Sequence, residues 1–522
     1  MPKSAATGAG VSTESQGFAG GLNIRDAINL LQGDELRKCE NAVLDERGGV
    51  SKRLGCTDKG AFSATGTDRI LSMYTFYRAA SAPQVLIHTT GGKIYYTNDP
   101  TVGAITWTQI ATGLSTTAPF SFETFNSICY FSNGVDNYAK WDGTTYTTIP
   151  TAPKGKYLRL WKDTMWVSGI PSLADRVYSS NPGDAETFGV SNWVDIAKGD
   201  GDFVSALSTD GIFLIVGKRN RGFVIYDPVT FANRTVDFEK GFESHFAVVQ
   251  FEGQIYYLTR RGIAQWISDT PSKIISEKMD PLFDPAVINL NALATCYAYV
   301  IGNQVGWAIP EVGSAVPTIQ LEYYPRLAGL TAYGNRGTGP FVTHRMPAGA
   351  FARYRNGAVD NLYCSSTLTN KVLQPFSAIG QDNGVTFGTT IETGPQDFGQ
   401  PTVYKYLRRL RVLGRGKFTF LILRNFQTAI YKTFPIDLTA TSDTWSVGDL
   451  WGSGTWGPDS IVKEKRLHPD AYARFFTFRF VDSETGIGKK PVPVGSIDYN
   501  LDAGEWGLYG FFMDATIAGV RD

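Results

Sequence analysis

Apolar and aromatic residues fall in short runs through the middle of the chain. Each run is followed by a polar turn and a second run that ends in an aromatic. The pattern reads Val85-Leu86-Ile87-His88, then Gly91-Gly92, then Ile94-Tyr95-Tyr96; it returns as Ile128-Cys129-Tyr130-Phe131, Asn133-Gly134 and Tyr138 to Gly143. Further copies begin at Met165, Phe213, Ile255, Val305 and Leu362, so successive steps are 43, 37, 48, 42, 50 and 57 residues. A beat near forty residues with paired strands in each unit predicts a β-propeller of six or seven blades over residues 61–385, with terminal strands available to close the wheel.

The flanks read differently. Residues 1–19 are small, polar and aperiodic, which predicts a disordered tail. Residues 20–60 predict an extended N-terminal arm. In it, Asp34 caps a short helix bearing Leu36, Cys39 and Val43, and Arg47-Gly48-Gly49 turns a hairpin. Residues 386–522 predict a C-terminal β-sandwich. There Lys405 to Leu413 and Lys417 to Leu423 form a hairpin about Gly414-Arg415-Gly416. In its first strand Leu407 and Arg409 point one way, Arg408 and Leu410 the other. Phe476, Phe478 and Phe480 share one strand face with Arg474, Gly495 to Leu501 form a closing strand, and Trp445 to Trp456 form a long exposed loop. The fold class is therefore all-β.

Composition narrows this picture. The 56 glycines and 25 tyrosines suit many short strands joined by tight turns. The 49 basic and 49 acidic residues cancel, so no global field draws the chain to nucleic acid or to a membrane surface. Cys39, Cys56, Cys129, Cys296 and Cys364 are scattered and lack CxxC spacing, which predicts buried thiols rather than a disulfide framework or a metal ribbon. No stretch is apolar enough for a signal peptide or a membrane span, so synthesis in the cytoplasm is expected.

The order of motifs near the N-terminus carries a resemblance. Gly20-Gly21-Leu22-Asn23-Ile24-Arg25-Asp26, then Gly33-Asp34-Glu35-Leu36, then Cys39-Glu40-Asn41-Ala42-Val43-Leu44-Asp45-Glu46-Arg47-Gly48-Gly49-Val50 and Lys52-Arg53-Leu54-Gly55-Cys56 resemble the opening of propeller-type tail proteins of tailed bacteriophages. The basic strand, Gly-rich turn and terminal aromatic strand after the propeller resemble the same family. The resemblance implies a structural virion protein of the tail nozzle, tail hub or minor tail class. It would form a ring of copies, six by family precedent or three at a long-tail tip, around the channel through which DNA leaves. Neighbouring tail or portal-adaptor proteins and transiently passing DNA are the implied partners, and the virion tail the implied location.

Candidate chemistry is sparse against this background. His88, His245, His344 and His468 have no metal-binding spacing, and no nucleophile elbow or phosphate loop occurs, so neither a catalytic residue, a metal nor a cofactor is expected. Asp195, Asp200, Asp202, Asp237 and Glu239 form carboxylate-rich turns, read as turns that satisfy local amides. Thr97 to Trp107 and Ser180 to Phe188 resemble degenerate Asp boxes, whose Asp bonds turn amides while the aromatic packs between blades. Lys218, Arg219 and Arg221 fall at the same place in the repeat as Arg260 and Arg261, which predicts a shared face: solvated hairpin tips, or a basic rim facing a neighbour or DNA. Arg25, Arg408, Arg409, Arg411, Trp445, Trp451 and Trp456 are candidate inter-subunit contacts. The rival reading is a glycan-binding or glycan-hydrolysing propeller at the host surface, with the exposed tryptophans stacking on sugar.

Overall fold

The computed structural model describes residues 10–14, 17–45, 48–79, 81–268, 270–328, 339–378, 380–438, 463–482 and 507–517. The chain divides into two compact units that interleave in sequence: 56–323 with 345–377, and 1–55 with 324–344 and 378–522.

The first unit is a β-propeller. Five four-stranded antiparallel sheets follow one another, with inner strands Ile70–Arg78, Ser121–Phe125, Tyr157–Trp161, Val204–Thr209 and Val248–Phe251. Three further antiparallel strands come next (Tyr297–Ile301, Gln304–Ile309, Ile319–Tyr323). The circuit ends in a sheet of Ala348–Asn356, Val359–Ser366 and Lys371–Ala378, whose fourth strand is the early segment Gly55–Ala61. Completing the last blade with a strand from early in the chain closes the wheel. Val85, Leu86 and Ile87 are buried, as are Leu214 to Val216 and Ile255 to Leu258, because the second strand of each blade lies between neighbours on both faces.

Apolar clusters run from blade to blade. Phe76, Leu86 and Ile94 of the first pack on Phe122, Phe131 and Trp141 of the second. Ala350, Tyr354 and Tyr363 of the closing sheet pack on Ile70, Met73 and Ile87 of the first. Both Asp-box-like turns behave as expected. Asp99 Oδ1 accepts from the Thr101 amide at 2.9 Å, and Asp184 Oδ1 from the Glu186 amide at 2.8 Å. Phe188 meets Tyr138 edge-on, at 5.9 Å, between the second and third blades.

The second unit draws on both ends of the chain. Its centre is the long strand Lys405–Arg424. The first half pairs with Gly507–Ile517 on one side and with Lys463–Leu467 and Ala471–Ala473 on the other. The second half lies between Ile430–Leu438 and Phe476–Asp482. Gly414-Arg415-Gly416 is therefore a corner at which one strand passes from sheet to sheet, and not the tip of a self-paired hairpin; Gly416 has φ +77° there. Two sheets share this bent strand. Strict alternation fails at Arg408 and Arg409, where the pairing register shifts between Leu407 and Arg409. Both arginines are exposed and both Leu407 and Leu410 are buried. Phe476, Phe478 and Phe480 share a buried face, as expected, while Arg474 precedes the strand.

The N-terminal expectations need further correction. Gly10–Glu14, placed in a disordered tail by composition, pairs antiparallel with Gly507–Ile517. The Asp34 segment is not a helix cap: Glu35–Glu40 is a strand paired with Thr390–Thr393, and the nearby helix is a single 3-10 turn at Ile28–Leu30. A pairing across some 350 residues outweighs local helix preference here. The hairpin of Ala42–Leu44 with Val50–Lys52 forms as predicted. Residues 20–55 are thus a core part of the second unit rather than a free arm. Arg53 is fully buried, its guanidinium gripping Asp382 through two bonds of 2.9 and 2.5 Å and donating to Asn41 Oδ1 at 3.0 Å. Lys52 pairs with Asp482 at 3.0 Å in the same interior. Trp445, Trp451, Trp456 and the expected strand Gly495 to Leu501 lie outside the described residues. No described helix is long and apolar enough to cross a membrane.

Candidate functional site

The wheel's axis is built from serines. Ser72 Oγ accepts from the Phe120 amide at 3.2 Å, and Ser121 Oγ from the Leu158 amide at 3.1 Å, each tying an inner strand to the next blade. Ser205 Oγ donates to Phe242 O at 2.5 Å, and Ser244 Oγ to Cys296 O at 2.9 Å, in the same role further round. A small hydroxyl fits between close strands and satisfies a backbone group that would otherwise be buried unpaired.

A 3-10 turn, His245–Ala247, occupies the centre, its N-terminus capped by the Ser244 hydroxyl on the Phe246 amide. His245 Nδ1 accepts from the Leu207 amide at 3.3 Å, so the proton sits on Nε2, which donates to Ser121 Oγ at 3.0 Å. The ring also lies 5.0 Å from that of Tyr157. Phe246 stacks on Tyr297 at 5.0 Å. One turn thus reaches the second, third and fourth blades and the strand Tyr297–Ile301. Burial, with the Arg159 charge nearby, pushes the His245 pKa down to about 3, so the imidazole is neutral at physiological pH. The Ser121–His245 pair superficially suggests a nucleophile and its base. Its polarity is reversed: the imidazole donates to the serine, a backbone amide holds the other nitrogen, and Ser121 is 1% exposed.

Beside the turn lies a cavity of about 660 Å³. Tyr157, Phe246 and Tyr297 supply its aromatic surface, and Arg69 and Lys156 are its charged lining; among the described residues no carboxylate lines it. Arg69 donates to the carbonyls of Gly66, Asp68 and Leu368. A mostly apolar concavity with a few polar groups is the ordinary form of a small-molecule site.

The predicted basic rim proves to be an acid–base seam. Its turns do lie together: Glu243, whose side chain is 4% exposed, is 3.5 Å from Arg219 and 3.8 Å from Arg260. Burial raises the Glu243 pKa, and the two arginines oppose that rise. Lys218 is not on the rim at all. Its side chain is 0% exposed and its Nζ bonds Asp175 at 2.8 Å, Asp200 at 2.7 Å and the Ala197 carbonyl at 3.2 Å. Arg221 stands 3.8 Å from Asp200, and Arg261 is exposed. The sequence could not show this neutralisation, because Asp175, Asp200 and Glu243 approach from other strands and turns.

The remaining carboxylate candidates are held in the wall. Asp195 grips Arg176 at 2.7 and 3.1 Å, and these hydrogen bonds hold its carboxyl below the usual range. Asp202 accepts from the Asn220 amide and Asp237 from those of Ser272, Glu239 and Lys240, while Glu239 is exposed. Among the described residues no group of three or more His, Cys, Asp or Glu side chains could hold a metal ion. All five thiols are buried. Arg25, Arg408 and Arg409 are exposed, and Arg411 is half-buried.

The fold and its axis define a β-propeller of the class whose blades close on a strand from the opposite end of the chain. No protein-family model matches the sequence, and no curated protein matches it. Solved structures similar to this chain include YCF48 bound to D1 peptide (12% identity, 63% of this chain and 97% of that one, TM-score 0.38). The extracellular domain of the putative one-component system BT4673 from B. thetaiotaomicron aligns at 9% identity over 80% of this chain and 59% of its own (TM-score 0.40). The WD40 β-propeller domain of Doa1 aligns at 8% identity over 62% and 96% (TM-score 0.38).

Proposed function

We propose that this chain is a structural, non-enzymatic component of a tailed-phage virion tail. It would be one subunit of a nozzle or hub ring around the DNA exit channel, acting in tail assembly and DNA ejection. The observation that carries this reading concerns the motif on which the family resemblance rests. Its Asn41, Lys52 and Arg53 are the buried polar centre of the second unit, bonded to Asp382 and Asp482 from the far end of the chain. A motif used this way specifies architecture. The wheel supports the same reading, since its histidine, serines and buried lysine join blade to blade.

In this reading the exposed Arg25 and Arg409 meet neighbouring subunits, while Arg219, Arg221, Arg260 and Arg261 present the outer edge of the seam. Lys218, enclosed by two aspartates, makes no contact with DNA. Six copies form the ring, with three as the alternative. Electron microscopy of the purified chain, together with immunogold labelling of virions, tests this: closed rings and labelled tails are expected, and an unlabelled tail overturns it.

One observation favours the rival. The axial cavity combines the stacked Phe246–Tyr297 pair with Tyr157, an arrangement suited to a sugar ring. Saturable binding of host polysaccharide by the monomer, lost in Tyr157→Ala, would establish it in place of the assembly role.

A further inference from the structure

The arginines of the wheel lie mostly against carboxylates, but one end of the second unit is different. There, where Ala471–Ala473 gives way to Phe476–Asp482 beside both ends of the long bent strand, four cations lie on aromatic rings instead. Arg424 covers the Tyr431 ring at 3.4 Å, Arg474 covers Tyr404 at 4.7 Å, Lys432 is 5.8 Å from Tyr431 and Arg408 is 5.9 Å from Tyr406. None of the four is within ion-pair distance of a carboxylate among the described residues.

The patch is continuous. Tyr404 and Tyr472 stack at 4.9 Å and 13°, and the Tyr472 carbonyl accepts from Arg424 Nη1 at 3.3 Å. Asn425 Oδ1 accepts from the amides of Arg474 and Phe475, and Phe475 packs on Phe426 at 4.6 Å. Tyr472 is 46% exposed, Phe426 43% and Tyr404 37%. Arg424 Nε is buried with no acceptor among the described residues. Of the nearby carboxylates, Asp470 is bonded to the Tyr406 hydroxyl at 3.1 Å and Asp397 to the Gly399 amide at 2.9 Å.

We propose that this face binds single-stranded nucleic acid without sequence preference. Cations lacking carboxylate partners attract a phosphate track, and exposed rings with guanidinium planes laid on them offer stacking platforms to unpaired bases. A duplex hides its base faces and would use the charge alone; an acidic protein would use the charge and leave the ring platforms without a planar partner. The inference does not depend on the tail reading, because it concerns a surface and not an assembly.

The test is fluorescence anisotropy with the full-length chain and three probes of matched charge: a mixed-sequence single-stranded oligonucleotide, its duplex, and a poly-glutamate peptide. The single strand should bind at least ten-fold tighter than either rival. Its log K should fall with log salt at a slope of about −3, as about 0.7 per neutralised phosphate requires for four cations. Arg474→Gln with Phe426→Ser, both on exposed side chains, should weaken binding ten-fold or more at unchanged melting temperature. Arg219→Gln with Arg260→Gln, in the wheel, should leave it unchanged. Equal binding of the duplex, tighter binding of poly-glutamate, or loss of binding only in the wheel variant would each overturn the proposal.

Discussion

His245 and Ser121 are 124 residues apart in sequence, yet the imidazole Nε2 lies 3.0 Å from the serine hydroxyl across the axis of the wheel. The bond joins the turn before the fifth blade to the inner strand of the second. The same imidazole must stay neutral to accept the Leu207 amide at Nδ1, which ties the closure of the wheel to pH.

Acid should therefore loosen the propeller before it titrates most carboxylates. His245 is pushed down to about 3 and His88 to about 4, both by burial, whereas unfolded histidine titrates near 6.5. The unfolded chain binds the extra protons, so this stability is complete above about pH 6.5 and is lost as pH falls toward the folded values. Each histidine should contribute a slope of about 1.4 kcal/mol per pH unit across that window. Glu123 and Glu243, whose carboxyls burial raises, oppose the trend at its acid end. Urea unfolding at pH 7, 6 and 5 checks this, and His245→Asn should flatten the slope by about half.

The two ion-pair sites of the seam should respond unequally. Lys218→Met leaves Asp175 and Asp200 facing each other in a largely buried site and should cost about 3–5 kcal/mol. Glu243→Gln leaves two arginines that already reach solvent, so about 1 kcal/mol is expected. Chemical denaturation of both variants at low and high salt separates them, since only the second loss is screened.

Backbone closeness makes a third prediction. A Cβ at Gly241 would lie 2.1 Å from Arg219 C and O and 2.3 Å from Lys218 O, main-chain atoms that cannot swing away. Gly241→Ala should cost about 3 kcal/mol or more. Gly253→Ala, at φ +78° with nothing within 4 Å, should cost only about 1 kcal/mol, measured by the same melts.

In the second unit, Arg53→Lys should behave as a disruptive change. Lysine cannot reproduce the paired grip on Asp382 or lie flat over Phe387, whose ring centroid is 3.7 Å from the guanidinium carbon. A loss of about 3 kcal/mol is expected, read as earlier unfolding by hydrogen exchange at Glu35–Glu40 and Thr390–Thr393.

The wheel was readable because its second strands are buried on both faces and so appear as unbroken apolar runs, as at Leu214 to Val216. Its closure was not, because Gly55–Ala61 is a short, half-polar segment whose partner strand begins at Lys371. The basic turns were placed correctly beside each other, but their charge was misjudged without Asp175, Asp200 and Glu243. His245 was passed over as a lone histidine. The signal that could have marked it is the recurrence of serine near the start of inner strands, at Ser72, Ser121 and Ser205. Asp34-Glu35-Leu36 looked like the start of a helix because nothing local announces Thr390–Thr393.

The strand that completes the last sheet also bears on synthesis. It leaves the ribosome first, and its partner, Lys371–Ala378, follows about 310 residues later. At about 5–20 residues per second, the early segment waits on the order of tens of seconds for its neighbour. Throughout that interval a growing arc of blades carries a bare leading edge, so premature termination should yield aggregating fragments rather than smaller wheels.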